Sequence, residues 1–181
     1  MPTPAPVLET DRLILRAPQA EDLDAFADFA ADPEATRFVG GVQPRSLAWR
    51  QMCTLVGAWS VTGFSMFSVI EKSTGRWVGR LGPWKPADWP AAEVGYGLAR
   101  EAWGKGYATE GVAAAIDYAF DHLGWTEVVH VIDPQNTASQ AVAKRLGATV
   151  LRRAHLPPPY EGPLMDLWGQ TRDQWRARRR A

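Results

Sequence analysis

The period of apolar and polar positions changes several times along the chain, and each change marks an element. From Leu8 to Arg16, Leu13 and Leu15 alternate with Arg12, Ile14 and Arg16, a strand's period of two that only Ile14 breaks, and Pro18 ends it. Between Glu21 and Ala31 the apolar Leu23, Phe26, Ala27 and Ala30 recur at helical spacing behind an acidic start, and Asp32-Pro33 stops the helix. Phe38 to Arg45 holds Gly40, Gly41 and Pro44 and reads as a loop. Ser46 can cap a second helix, in which Met52, Leu55, Val56 and Trp59 share a face and which Gly63 ends.

Phe64 to Ile70 and Arg76 to Leu81 read as strands joined by a hairpin at Lys72 to Gly75. Pro83 to Pro90 is a loop of prolines and tryptophans, and Glu93 to Leu98 is the next strand. The run Ala108 to Leu123 is helical, with Val112, Ala115, Ile116, Ala119 and Leu123 inward. Glu127 to Ile132 is a strand closed by Asp133-Pro134. Asn136 or Thr137 caps a helix that reaches Leu146 and stops at Gly147. Thr149 to Arg153 and Leu164 to Gly169 complete the strands, with a loop of Pro157, Pro158, Pro159 and Gly162 between them. Thr171 and Gln174 form a capping box for a basic tail helix. A meander of strands followed by strands alternating with helices is a mixed α/β class.

The chain has 181 residues, which suits one domain over 1–181 with a loose proline-rich tail at 1–6. Hydrophobic residues at 46% and charged residues at 22% fit a soluble globular protein, and the formal net charge of +0 calls for neither nucleic acid nor an anionic membrane. The lone Cys53 excludes an intrachain disulfide and fits a reducing compartment. The start lacks a signal sequence and no run reaches the length of a membrane span, so the expectation is a cytoplasmic protein.

The chemistry centres on Glu101-Ala102-Trp103-Gly104-Lys105-Gly106-Tyr107-Ala108-Thr109-Glu110, which joins a strand to a helix. Small residues at 104, 106 and 108 let backbone amides approach a ligand, and the first turn of the helix adds unpaired N–H groups, together a phosphate or pyrophosphate site. A mononucleotide P-loop is excluded, since Gly106 follows Lys105 and Ala99 stands where the first glycine is needed. Gly95-Tyr96-Gly97 begins like a dinucleotide fingerprint, but it lies inside a strand and lacks the third glycine.

The loop resembles the acyl-coenzyme A pyrophosphate loop of the GNAT acetyltransferase superfamily, and its wording from Trp103 to Glu110 resembles the RimJ/RimL branch. So do the opening from Leu8 to Arg16 and the segment Asn136 to Gly147, with Ser139 and Leu146 in place. The resemblance spans about Leu8 to Trp175. It implies a twisted, mostly antiparallel sheet of about seven strands, splayed between the fourth and fifth and flanked by helices. It also implies acetyl-coenzyme A as cosubstrate, with no metal, and a monomer or homodimer.

By the same resemblance the backbone of Trp103, Gly104, Lys105, Gly106, Tyr107, Ala108 and Thr109 holds the pyrophosphate. The edge at Tyr96, Leu98 and Ala99 pairs with the pantetheine arm, Asn136 contacts that arm, and Ser139 faces the sulfur. Gly95 and Gly97 suit a strand that something approaches closely. Phe38 to Arg45 would border the acceptor pocket. Glu93 is the candidate base, because a carboxyl beside an apolar cleft has a raised pKa. His130 competes with it, although a core histidine is the expected role there. The family's usual acid, a tyrosine, is replaced by Ala143, which leaves Ser139 to donate to the thiolate. Two further departures, Glu101 at the start of the loop and Ala148 after the leucine-glycine pair, leave the resemblance intact.

Trp49, Trp59, Trp84, Trp89 and Trp103 serve core and rim packing, or alternatively an apolar acceptor wall. Arg178 to Arg180 end a solvated tail. The implied reaction is acetyl transfer to a primary amine by direct attack, with Cys53 playing no part. The acceptor is a protein or peptide N-terminus, as in the RimJ/RimL branch. The alternatives are a small amine such as an amino acid, polyamine or antibiotic, and an idle coenzyme A-binding sensor.

Overall fold

The computed structural model describes residues 5–180. Its strands are β1 (Leu8–Glu9), β2 (Leu13–Arg16), β3 (Phe67–Glu71), β4 (Trp77–Trp84), β5 (Glu93–Leu98), β6 (Glu127–Ile132), β7 (Thr149–Ala154) and β8 (Met165–Thr171). They form one sheet in the order β1-β2-β3-β4-β5-β6-β8-β7. Every neighbouring pair is antiparallel except β5 and β6. The helices are α1 (Leu23–Ala31), α2 (Pro33–Thr36), α3 (Arg45–Thr62), α4 (Tyr107–Asp121), α5 (Thr137–Leu146) and α6 (Arg172–Arg180).

The mixed α/β class is as expected, but the strands number eight rather than seven. The stretch Leu8 to Arg16 is a hairpin, not one strand. Thr10 N–H donates to Leu13 O at 3.0 Å and Leu13 N–H returns a bond to Thr10 Oγ1, so the turn meets its own polar needs. Leu13 and Leu15 are buried, on the side that the alternation indicates. Ala5 packs on the core, which shortens the expected tail, and residues 1–4 lie outside those described.

Asp32 ends α1 as expected and also starts α2, where its Oδ1 accepts from Glu34 and Ala35 N–H. Pro44, not Ser46, precedes α3, and Val56 faces solvent while Ala48 lies inward. β4 runs on through Pro83 and Trp84, because the long register with β5 outweighs the proline. The capping box is present: Gln174 N–H donates to Thr171 Oγ1, and Thr171 N–H to Gln174 Oε1.

Val112, Ala115, Ile116 and Ala119 of α4 are fully buried in a cluster with Leu13, Leu81, Val94 and Val128 from four strands. At about 1.5–3 kcal/mol for a large buried aliphatic side chain, this contact fixes α4, and the loop before it, to the sheet. Phe26, Phe29 and Leu55 of α1 and α3 form a second cluster with Met66, Ile70 and Trp77. Among the described residues, no helix is long and apolar enough to cross a membrane.

Candidate active site

The sheet opens at its middle. β5 and β6 meet in register only at Glu93 and Val129, where Val129 N–H donates to Ala92 O at 2.9 Å. Beyond that point the strands diverge, so the β6-facing edge of β5 from Tyr96 to Ala99 lacks a strand partner. β6 itself stays paired with β8 along its whole length. A cleft of about 760 Å³ occupies this region, walled by α3, β5, α5, the 37–43 loop and the 156–163 loop.

One end of the opening meets the Gly-rich loop. β5 passes through a single 3-10 turn, Arg100–Ala102, into the loop and then α4. Gly104 and Gly106 both take positive φ, 73° and 81°, and a side chain on Gly104 would meet open space. Glu110 N–H donates to Gly106 O at 3.1 Å as the first backbone bond of α4. The amides of Tyr107, Ala108 and Thr109 precede that bond and are left over for a ligand. Unsatisfied amides with a helix dipole behind them suit an anion of the size of a pyrophosphate.

The side chains of this loop turn to the protein. Lys105 Nζ is 3.3 Å from Glu71 Oε1, and the Tyr107 hydroxyl donates to the same oxygen at 2.6 Å. Donors from Thr74 and Tyr107, with Lys105 beside them, hold the Glu71 carboxyl down at about 2. Arg12 donates to Lys105 O at 2.8 Å and pairs with Glu110 at 2.6 Å. Trp103 donates to Leu98 O at 2.9 Å, fastening the loop to β5. The loop's side chains are thus engaged with the protein, Lys105 with Glu71, and its backbone is the part left to face a ligand.

Glu93 stands where the two strands part, 7% exposed. Its Oε2 accepts from the Trp89 indole at 2.7 Å and its Oε1 from Val131 N–H at 3.3 Å. Burial pushes its carboxyl up to about 7, against the smaller opposing pull of those donors and of Arg80. Gly95 makes this placement possible, since a Cβ there would lie 3.0 Å from Glu93 Oε1 and 2.8 Å from Met66 Cε. His130 also borders the cleft, but its Nδ1 donates to Val94 O at 2.7 Å and its buried Nε2 lacks a partner. Burial lowers its pKa, so the ring is a neutral strut across the opening, as expected of a core histidine.

Across the opening, Asn136 caps α5 by accepting from Ser139 N–H at 3.0 Å. Asn136 and Ser139 both line the cleft, and the Tyr96 hydroxyl donates to Ser139 O at 3.4 Å. Burial raises the Tyr96 phenol to about 12, so it keeps its proton at neutral pH. Leu98 and Ala99 are buried; Leu98 O accepts from the Trp103 indole, and Ala99 N–H donates to Val78 O at 2.9 Å. Ala143 is buried with Ile132, Ala148 and Trp168 and brings no polar group to the cleft.

Of the five tryptophans, Trp84 and Trp89 line the cleft, while Trp59 packs on Phe67 and Trp49 is exposed. Sequence reasoning passed over three contributors. Arg80 and Tyr160 line the cleft, and Glu71 anchors the loop. The first two had no local signal. Glu71 could have been found only as a lone acid ending an apolar run. Among the described residues, no cluster of His, Cys, Asp and Glu suits a metal ion.

Residues 12–149 match the model of the acetyltransferase (GNAT) domain family. The chain belongs to the GNAT acetyltransferase family. The curated "Uncharacterized N-acetyltransferase p20" of Bacillus licheniformis is 33% identical over 168 residues, 89% of this chain and 92% of the relative. An acetyltransferase from Agrobacterium tumefaciens shares 30% identity at a TM-score of 0.81, covering 92% of this chain and 95% of that one. RimL, the ribosomal L7/L12 alpha-N-protein acetyltransferase, in its complex with coenzyme A shares the fold at a TM-score of 0.74 and 18% identity, covering 93% and 99%. This GNAT protein is an acetyl-coenzyme A-dependent acyltransferase.

Proposed function

We propose that this GNAT enzyme acetylates the primary amine of a protein or peptide N-terminus by direct attack, as a relative of the RimJ/RimL branch. The observation that carries the chemistry is the Glu93 carboxyl, buried at the parting of β5 and β6 and titrating near neutrality. A protein acceptor is supported by the fold shared with the ribosomal-protein acetyltransferase RimL.

The chain fits acetyl-coenzyme A in two respects: unpaired amides at 107–109 and a β5 edge that has no strand partner around Tyr96. The backbone of 103–109 holds the pyrophosphate; Tyr96, Leu98 and Ala99 pair with the pantetheine arm, and Asn136 and Ser139 contact it near the sulfur. Bound there, the cosubstrate supplies an activated acyl group and a thiolate that leaves. Glu93 accepts the proton that the amine loses as nitrogen bonds to the acyl carbon. The Ser139 hydroxyl donates to the sulfur as its bond to carbon breaks, and the Tyr96 hydroxyl adds a second donor by giving up its long bond to Ser139 O. Tyr96 thereby covers the loss of the usual acid at Ala143.

The test is free-thiol release from acetyl-coenzyme A against N-terminal peptides and small amines, with cosubstrate binding followed by calorimetry. Release with peptides is the expected result. Release with small amines alone moves the acceptor to that class. Absence of cosubstrate binding overturns the whole reading.

A further inference from the structure

Among the described residues, Arg80 is the half-buried cation that lines the cleft. Arg37 and Arg50, which also line it, are exposed at its rim. Among the described residues, Arg80 forms no ion pair, and its one hydrogen bond goes from Nη1 to the Met66 thioether at 2.8 Å. A thioether is a weak acceptor that cannot balance a guanidinium with five donors. Such a cation costs free energy unless something pairs with it. Other arginines of this chain do have partners: Arg12 has Glu110, Arg16 has Asp22, and Arg153 has Asp166.

The register shows why Arg80 faces the chemistry. Arg80 lies opposite Gly97, Gly82 opposite Gly95, and Trp84 opposite Glu93, so these residues share one sheet face. Gly82, Gly95 and Gly97 bring no side chain of their own to that face, and Phe67, Met66 and Phe29 pack where their Cβ atoms would sit. Met66 has its sulfur on Arg80 and its methyl near the point where a Gly95 Cβ would sit. Arg80 and Glu93 do not pair directly, yet each shifts the titration of the other, which puts them within electrostatic reach.

We propose that the acceptor is an amine that also carries a carboxylate, with Arg80 binding the carboxylate while the amine faces Glu93. The guanidinium fork matches a carboxylate in two parallel hydrogen bonds. A neutral amine lacks that anchor and leaves Arg80 unpaired. The proposal rests on acyl transfer at this site and narrows its substrate. Both a free amino acid and a peptide with an acidic first residue satisfy it.

The test uses the full chain with acetyl-coenzyme A and matched acceptors. One set is L-leucine, L-leucinamide and isoamylamine; another is carboxyl-amidated peptides beginning with glutamate or with glutamine. In at least one set, kcat/KM for the carboxylate-bearing member exceeds its neutral match by about tenfold or more, the worth of a charge-assisted hydrogen-bond pair. The set in which this occurs separates free amino acid from peptide. Arg80→Gln brings the ratio towards one, mainly through KM for the acid, and Arg80→Lys restores part of it. Retained acetyl-coenzyme A binding shows that each variant is folded. Equal rates with acid and neutral members, or an unchanged ratio in Arg80→Gln, overturn the inference alone. No thiol release with any acceptor overturns acyl transfer here and the inference with it.

Discussion

The hydroxyl of Tyr107 donates to Glu71 Oε1 at 2.6 Å, tying the first residue of α4 to the last residue of β3. Lys105 approaches the same oxygen from the loop, and Thr74 donates to the other one. The start of α4 and the loop before it are thus braced by the Glu71 carboxylate. Tyr107→Phe removes one of those ties. Its expected effect is a rise in KM for acetyl-coenzyme A of up to about tenfold, the scale of one hydrogen bond to a charged group, with kcat within about twofold. Steady-state kinetics at saturating acceptor measure it. A fall in kcat at unchanged KM would refute the role.

Glu93→Gln keeps an oxygen for the Trp89 indole but cannot take a proton. The expected loss is about 10²–10³-fold in kcat with cosubstrate binding intact. The wild-type rate rises with pH through about 7 and then levels, because the base form must be present. Stability runs the other way. With its folded pKa above the ordinary value, Glu93 contributes stability that is fully present below about 4.5 and lost as pH rises through about 7. Melting temperatures of the two proteins across this range should therefore converge towards acid and favour Glu93→Gln towards neutrality.

Ser139→Ala and Tyr96→Phe each remove a hydroxyl from the same side of the cleft. Each is expected to lower kcat by about tenfold, and the double variant less than multiplicatively if both serve the leaving sulfur. Cosubstrates with thiol leaving groups of lower pKa should rescue part of the loss. Equal loss with every leaving group would show that these hydroxyls serve another purpose.

Asp22 is buried, and Arg16 grips both its oxygens at 2.7 and 2.8 Å, with Ser68 and Gln19 N–H adding bonds. Burial alone would raise its pKa, but these donors together hold it below the usual value. Its contribution is therefore present above about 3.8 and lost as pH falls through the lower folded pKa. Asp22→Asn, which leaves Arg16 unbalanced, is expected to cost about 3 kcal/mol in urea unfolding at pH 7.

Much of the local structure around the candidate anion site was legible because its signals are local. Gly104 and Gly106 before an apolar-periodic run foretold a Gly-rich loop followed by a helix start, and Asn136 with Gly147 marked both ends of α5. Glu93 was a candidate base because the family resemblance put a strand-opening carboxylate beside the expected cleft, and the structure buries it where β5 and β6 part. Relations across distant parts of the chain were not legible. Nothing near Lys105 hints that Glu71 neutralises it, and nothing near Arg80 shows that a methionine is its partner. The extra strand came from a turn whose polar groups satisfy one another through Thr10, a pairing that apolar periodicity does not encode. The exposure of Trp49 likewise depends on how α3 rolls on the sheet, which its sparse apolar face constrains weakly.

The parting of β5 and β6 has a consequence for what can enter. A strand edge on the outside of a protein invites any extended chain, with aggregation as the hazard. Here the open edge is in the middle of the sheet, with α5 on one flank and the 156–163 loop near its mouth. A second β-sheet is too broad to follow it inward. A single slender chain with amides at intervals is not. The fold thus keeps an adhesive surface and restricts it by width, so selection for a slender extended chain begins before any side chain is consulted.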